Sequence, residues 1–491
     1  MATDTSSRRF SRRSLLAGTA ASIGVLAASR LGAPALAQSP AARSIEVLVL
    51  GAGMSGLTAA VALQRRGHKV TVIERQGRIG GRLLSLPLGD GMFTEAGGGH
   101  FRSNMPLVLD YIRHFNLPLL SLNDGLPVYM VDGKTVKSAN VSDWPWALSA
   151  EERNVTVAAN LNRYLFRAGL DTETVLQPDW PNTDLLDRLD DITLEDLLRP
   201  VGASPDFLKL LAAHGGTFTP FAQTLSIIPD LAYHFGDQNV FRILGGNQRL
   251  PMAMANALGR GNIVLDAEVT TIDQTGTRIR VGTKDGKEFT GDAVVSTIPF
   301  SVIDEIEVTP AWSAGKARMF AEMEWDKTVK VIVKTREPTW LAQNVRGWPM
   351  AGGDRPWERF IDITGNEPGG HGSGFFYLNG PNADLVLDAP RDVRAQRVVD
   401  AFQQDLPGLL GDVLSVSDFA WSEQPWIRGS FGSTPIGGGW MVKEWTAPEG
   451  RIHFAGDFTT LKTGWVEGAI ESGLRAARQI DPEAKPLSGP R

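Results

Sequence analysis

From Ile45 the chain runs through a nearly continuous apolar stretch to Leu50, then Gly51-Ala-Gly53-Met-Ser-Gly56, a helical pattern to Arg66, and a second apolar run from Val70 to Ile73. Short runs without alternation predict strands buried on both faces, and the 3.6-residue periodicity between them predicts a crossover helix. Related patterns recur downstream. Residues 243–258 read as a glycine turn and a helix, residues 262–272 as a strand, and residues 291–299 as a buried strand ended by proline. Residues 450–480 read as a strand reaching Phe454, a loop, and a helix from Val466 in which Ala469, Ile470, Leu474, Ala477 and Ile480 recur at core-facing spacing. Residues 120–235 carry short helical patterns such as "TDLLDRLDDITLEDLLRPVG" with prolines and tryptophans at the joints. Residues 305–445 carry strand-like "KTVKVIVKT" and "RFIDITG", a Gly-rich turn in "EPGGHGSG", and a helix near "DVRAQRVVDAFQQDL".

The first of these units carries chemistry. Gly51 permits a tight turn, Gly53 lets the backbone approach a pyrophosphate, and Gly56 brings helix and strand close. The helix N-terminus supplies free N–H groups and a partial positive charge. Glu74 ends the second strand 18 residues past Gly56, where a carboxylate can accept hydrogen bonds from ribose hydroxyls, and Arg75 follows it at the same edge. Strand, glycines, helix, strand and terminal acid together predict a dinucleotide site.

Composition narrows the partners. Arg12 and Arg13 in "SRRSLLAGTAAS", the apolar stretch after them and the small residues of "ALAQ" predict a twin-arginine signal over residues 1–37, cleaved after Ala37, and a periplasmic protein without a membrane span. The whole chain carries −6; five arginines and one aspartate in the signal account for +4, leaving −10, which argues against nucleic acid as a partner. The chain has no cysteine, so disulfides, thiolate metal sites and a thioether-linked cofactor are excluded. The seven histidines are scattered without metal-ligand spacing, so no metal is expected.

"ERQGRIGGRLLS", with Gly80-Gly81-Arg82 just beyond the ribose-binding acid, and "FAGDFTTLKTGWVEGAIESG" near the C-terminus resemble the flavin-dependent amine oxidases, akin to monoamine, polyamine and L-amino-acid oxidases. The resemblance covers nearly all of the chain after the signal. It implies an α/β fold with an FAD-binding Rossmann-like domain built from residues 44–119, 236–304 and 446–481. An inserted α+β substrate domain would comprise residues 120–235 and 305–445, and residues 482–491 read as a disordered tail. It assigns Gly81 and Arg82 to the pyrophosphate, Val269 to the adenine, Gly98 and Gly99 to the flavin ring, and Gly456, Asp457, Trp465 and Val466 to the closing cofactor loop and helix.

The resemblance also implies a catalytic set. Lys330, followed by a short β run, would hold a water against the flavin, with Val329, Val331 and Val333 on the opposite face of its strand. Phe431 and Trp465 would sandwich the amine. Ser430 stands where monoamine oxidases carry a flavin-linked cysteine, so the FAD is expected to be noncovalent. His100 stands where L-amino-acid oxidases carry a carboxylate-binding arginine, with Arg102 two positions late, which favours an amine without an α-carboxylate over an amino acid. The implied partners are a small amine and then oxygen or a periplasmic cytochrome-type acceptor; a homodimer is left open. The competing readings are an L-amino-acid oxidase, an FAD-dependent desaturase or dehydrogenase acting on a carbon chain, and a binding protein without turnover. Trp144, Trp146, Trp180, Trp312 and Trp340 are read either as core or as the lining of an apolar channel.

Overall fold

Glu46–Leu50 is the middle strand of a five-stranded parallel sheet, and its side chains feed two cores in alternation. Val47 and Val49 join the core under the helices Met54–Arg65 and Val466–Ile480, while Leu48 and Leu50 join the core on the other face. The sheet order is Ile263–Val264, Lys69–Ile73, Glu46–Leu50, Ala293–Ser296, Ile452–Phe454, so strands from three distant stretches of sequence lie side by side. This is a computed structural model, describing residues 43–488 apart from 123–127, 138–139, 178–179, 182, 216–222, 237–238, 346–348, 352–354 and 366–368. The signal expected over residues 1–37 therefore lies outside the described residues. Among them no helix is long and apolar enough to cross a membrane.

Two corrections follow from strand geometry. The stretch read as one strand over 262–272 is two, Ile263–Val264 and Val269–Asp273, because Asp266 adopts φ +54° and turns the chain from the parallel sheet into a four-stranded sheet with Glu288–Gly291, Ile279–Thr283 and Glu307–Thr309. The Gly-rich turn is shorter than read, since Gly372–Asn379 is a strand. Gly374 belongs in it because a Cβ there would overlap the Phe360 ring on the neighbouring strand.

A seven-stranded sheet stands over the cofactor half, in the order Val413–Ala420, Thr328–Thr335, Gly372–Asn379, Arg359–Asp362, Pro349–Ala351, Val128–Val131, Lys134–Lys137. Its outer face is covered by Gly380–Leu387 and Arg394–Asp405, and Val329, Val331 and Val333 are buried there beside Phe376 and Val398. Alternation along the strand turns Lys330 to the other face. Helices including Val157–Arg167, Pro205–Gly215 and Thr224–Gly236 make up most of the inserted helical part. Trp144, Trp146 and Trp340 are buried, and Trp180 and Trp312 pack against the main core, so these tryptophans build core and do not border the main cavity.

The tail is also corrected as far as it is described. Ala484 and Leu487 are each 2% exposed, the Arg65 guanidinium donates to the Pro486 carbonyl at 3.1 Å, and Arg478 donates to the Ala484 carbonyl at 3.1 Å. Two apolar side chains and arginine-bound carbonyls suffice to dock a short segment that its polar composition alone would leave loose.

Gly56 shows how tightly the first unit is built: a Cβ there would overlap the carbonyl oxygen of Gly51 and lie 3.2 Å from Val49. Gly56→Ala is expected to cost about 1–3 kcal/mol by overpacking, read as a lower denaturant midpoint with reduced flavin content. An unchanged midpoint would show that the turn relaxes freely.

Candidate active site

One cavity of about 1180 Å³ runs from the glycine turn to the inner face of the seven-stranded sheet. Gly51, Gly53, Glu74, Arg75, Gly81, Arg82 and Val269 line one part of it, and Gly98, Gly99, Lys330, Phe431, Asp457, Trp465 and Val466 line another. Gly56 and Gly456 do not border it. Gly56 works from behind, and the Gly456 N–H donates to Ser472 Oγ at 3.0 Å.

The dinucleotide end is built from bare backbone. Gly51 has φ +109°, a conformation that disfavours side chains, and its N–H closes the turn onto the Ile73 carbonyl at 2.8 Å. Gly81, at φ +56°, lies directly on Gly53, whose Cα is 3.1 Å from where a Gly81 Cβ would stand. The glycine loop and the GGR turn thus form one cradle. Glu74 accepts from the Ala52 N–H at 2.7 Å and the Gln76 N–H at 2.8 Å, and burial pushes its carboxyl above the ordinary range. It holds the loop with one lone pair on each oxygen and still borders the cavity. Arg75 is paired with Glu268 at 3.1 Å and Glu305 at 3.5 Å at the cavity's edge.

Arg82, which borders the cavity as expected, also makes contacts within the chain. Its guanidinium forms a two-pronged pair with the Asp457 carboxylate, one bond at 2.8 Å and a second between Nη2 and Oδ1, and donates to the Ser430 carbonyl at 2.8 Å. Asp457 Oδ2 also accepts from the Gly464 N–H at 2.8 Å. Two residues assigned separately to the cofactor therefore bind each other and hold the loops that carry Phe431 and Trp465.

At the sheet end, Lys330 is 3% exposed and donates Nζ–H to the carbonyls of Glu95, at 3.0 Å, and Gly97. Burial pulls its ammonium well below lysine's ordinary value, partly opposed by the Glu95 carboxylate, itself pushed up by burial. The Gly97–Gly99 run passes so close that a Cβ on Gly99 would stand 3.4 Å from Nζ and 3.0 Å from the Phe375 ring. Phe375 lies under the ammonium at 4.0 Å from ring centroid to Nζ.

Trp465 is the N-cap of the Val466–Ile480 helix, and its indole N–H donates to Asp230 Oδ1 at 2.6 Å. Asp230 Oδ2 is 2.7 Å from His234 Nδ1, four residues on in the same helix. His100 and His234 pack edge-on against Trp465 at 5.6 and 5.2 Å, and burial lowers the pKa of both imidazoles, so each favours the neutral form. Phe431 is half-buried on the facing loop, its backbone carbonyl accepting from the Asp326 N–H at 3.0 Å. Ser430 Oγ donates to the Asp326 carbonyl at 2.8 Å. Arg102 is buried behind this wall, donating to the His234 carbonyl at 3.2 Å, and does not border the cavity, whereas His100 does. His453, set aside as structural, bonds Gln479 Oε1 at 3.0 Å and does not line the cavity.

Residue-by-residue reading passed over Asp230, His234, Asp326, Arg359, Tyr377 and Trp421, all of which border the cavity. The Asp230–His234 pair had a readable signal in its i,i+4 spacing on an apolar helical pattern. The others reach the site through strand pairing and loop closure, which no local pattern encodes.

The residues from 54 to 481 match the family described as flavin containing amine oxidoreductase. The chain belongs to this family. It is similar to the flavin-dependent L-tryptophan oxidase RebO of Lentzea aerocolonigenes, at 29% identity over 89% of this chain and 98% of that protein. It is also similar to a nicotine dehydrogenase of Pseudomonas putida, at 26% identity over 96% of this chain and 97% of that protein. Among solved structures its fold matches a putrescine oxidase bound to putrescine, with a TM-score of 0.76, 20% identity and coverage of 90% of this chain and 100% of that one. Cyclohexylamine oxidase from Brevibacterium oxydans matches with the same TM-score and identity, covering 90% and 99%. The protein is a flavin-dependent amine oxidoreductase with the α/β fold of that family.

The cavity of this amine oxidoreductase meets bare backbone at Gly51, Gly53 and Gly81 beside a helix N-terminus, which fits the phosphate of a flavin cofactor. Glu467, in the first turn of the closing helix, turns away from the cavity and accepts from the N–H groups of Leu107 and Val108, both at 2.9 Å, capping the Pro106–His114 helix. Burial pushes its carboxyl up to about 7. The folded protein then keeps a proton that the unfolded chain releases near pH 4.3, so stability falls as pH rises from about 4.3 to about 7. Glu467→Gln cannot ionise, and its melting temperature relative to wild type is expected to rise between pH 5 and pH 8, by the equivalent of at most about 3 kcal/mol. A gap that stays constant with pH would refute the assignment.

Proposed function

We propose that this protein oxidises a small amine held between Phe431 and Trp465, using noncovalent FAD, after export to the periplasm by the twin-arginine route. The observation that carries the reading is the buried Lys330, bonded to the Glu95 and Gly97 carbonyls, at the end of the cavity where Gly98, Gly99 and Val466 also converge. Bound flavin would supply the acceptor for the hydride that leaves the amine's α-carbon, and hydrolysis of the resulting imine by water would give an aldehyde or ketone plus ammonia or an amine.

The chain's own contribution is orientation, dryness and proton handling. Phe431 and Trp465 present aromatic surfaces that exclude water and attract a cationic amine on approach. Asp230 fixes Trp465 through the indole N–H and holds the neutral His234 imidazole by Nδ1, so an Asp–His pair stands in the wall where an arriving ammonium must lose its proton. Lys330, with its pKa lowered by burial, can exchange a proton near neutral pH and can hold a water. Serine at position 430 offers no thiolate for attachment, which supports noncovalent binding. The electron acceptor is oxygen or a carrier protein, and peroxide release in air separates the two.

Anaerobic mixing of the flavin-loaded protein with a panel of amines should bleach the visible flavin absorbance with at least one of them. Bleaching by none would sink the reading. Lys330→Met is expected to keep its flavin while slowing a half-reaction, flavin reduction or reoxidation, by tenfold or more in stopped-flow traces. Wild-type rates in both half-reactions would remove Lys330 from the mechanism.

A further inference from the structure

From Glu95 to Gly98 every backbone carbonyl is taken by a side chain from a distant part of the chain. Lys330 Nζ donates to Glu95, at 3.0 Å, and to Gly97, the Trp421 indole N–H donates to Ala96 at 2.9 Å, and Asn247 Nδ2 donates to Gly98 at 2.9 Å. The N–H groups run the other way: Ala96 and Gly97 donate to the Leu84 carbonyl at 2.9 and 3.2 Å, and Gly98 donates to the Arg82 carbonyl at 3.0 Å. The next N–H, that of Gly99, has no hydrogen-bond partner among the described residues, and Gly99 borders the cavity.

A planar trans peptide points its C=O and its N–H in opposite directions, and the Gly98–Gly99 bond is trans. Whatever holds the Gly98 carbonyl therefore aims the Gly99 N–H. Asn247, in the turn between Val240–Ile243 and Arg249–Leu258, stands behind the wall: it is 0% exposed and does not border the cavity. Its own N–H donates to the Glu95 carboxyl group at 2.8 Å, and its Oδ1 accepts from the Ile243 N–H at 2.9 Å. With Oδ1 committed, Nδ2 is the end that faces Gly98, so the side-chain amide has one orientation. Drawing the carbonyl back toward Asn247 turns the Gly99 N–H toward the cavity, where a bound molecule satisfies it.

We infer that Asn247 is a positioning residue, which by holding the Gly98 carbonyl aims the Gly99 N–H at an acceptor atom of the flavin ring. This rests on the reading that places the ring beside Gly98 and Gly99. A donor fixed before the reaction favours negative charge on the ring without having to reorganise as that charge develops. Asn247 touches neither ring nor substrate; it acts through one peptide plane. An aliphatic side chain in its place would fill the same volume and leave the Gly98 carbonyl without a donor, so the plane would be free to rotate and the Gly99 N–H to leave its aim.

The test reads the flavin itself in the purified, flavin-loaded protein. The midpoint potential of the bound flavin, measured by equilibration with a reference dye, is expected to lie above that of free FAD in wild type. Asn247→Leu keeps the volume and removes the donor, and Asn247→Ser shortens its reach. Both are expected to retain flavin, to lower its potential, to move its visible absorbance band, and to slow its reduction by an amine about tenfold or more. A merely structural role would lower melting temperature and flavin content while leaving the potential of the flavin that stays bound where it was. A wild-type potential at or below that of free FAD, or a variant that holds the wild-type potential, overturns the assignment, and the wild-type comparison decides it even where neither variant folds. Failure of every amine to reduce the flavin strikes the oxidation reading instead, because the potential is measured without an amine.

Discussion

The ion pair between Arg82 and Asp457 holds this molecule's working parts at one point. It joins residues 375 positions apart, and both partners carry further load: Arg82 takes the Ser430 carbonyl, and Asp457 takes the Gly464 N–H. Each of those contacts immediately precedes an aromatic of the site, Phe431 and Trp465. The Asp457 side chain is 5% exposed and that of Arg82 is 25%, so the carboxylate bears most of the desolvation and needs its several donors. Removing either partner would leave the other charge unpaired and free two loops at once. Such a pair contributes geometry more than stability, because its Coulombic gain is largely offset by the cost of taking charges out of water.

The same economy organises the cavity's electrostatics. Ionisable groups enter its sheet end from different elements: Lys330 and Arg359 on the large sheet, Asp230 on the Thr224–Gly236 helix, and Asp326 at the loop beside Ser430. Burial pushes each group with a resolved shift toward neutrality, with Lys330 lowered and Asp326 raised to about 7. Groups poised in this way exchange protons near neutral pH, whereas the same residues in water would be locked in their charged forms. Carbonyl acceptors are what let the lysine stay: Glu95 and Gly97 supply oxygens without adding a full negative charge.

What could be read in advance divides along a physical line. The glycine cradle, Glu74 and the flanking strands were legible because each is a local constraint: Gly51 needs its φ, Gly56 needs contact with Gly51, and Glu74 serves backbone amides within 22 residues. Lys330 was legible through the resemblance to the family's lysine before a short β run, and alternation, with three valines on the opposite face, fits the side it takes. Arg359 was not, because its place beside Lys330 depends on the register of two strand pairings. Arg82 was found, but its pair with Asp457 was not, since its identity announces a forked donor and says nothing about which carboxylate of the chain comes to it. The tryptophans were open between core and channel, since size and polarity suit them to either, and only packing shows Trp146 and Trp340 to be core at 1% exposed.

A cavity with this construction ties cofactor binding to folding. Its walls come from residues near 51, 81, 98, 269, 330, 431 and 465, stretches spread from the first strand to the closing helix. A ligand that touches all of them binds the folded state and has little purchase on the unfolded one, so its binding free energy adds to stability by mass action. Losing the ligand would weaken the contacts among the stretches together, since they share the Arg82–Asp457 pair and the Gly53–Gly81 contact. Under the proposed export this coupling has a consequence for order: a chain loaded with flavin in the cytoplasm crosses the membrane already folded. The glycine cradle and the paired arginines near the N-terminus then answer a single requirement, that the cofactor be in place before the protein leaves.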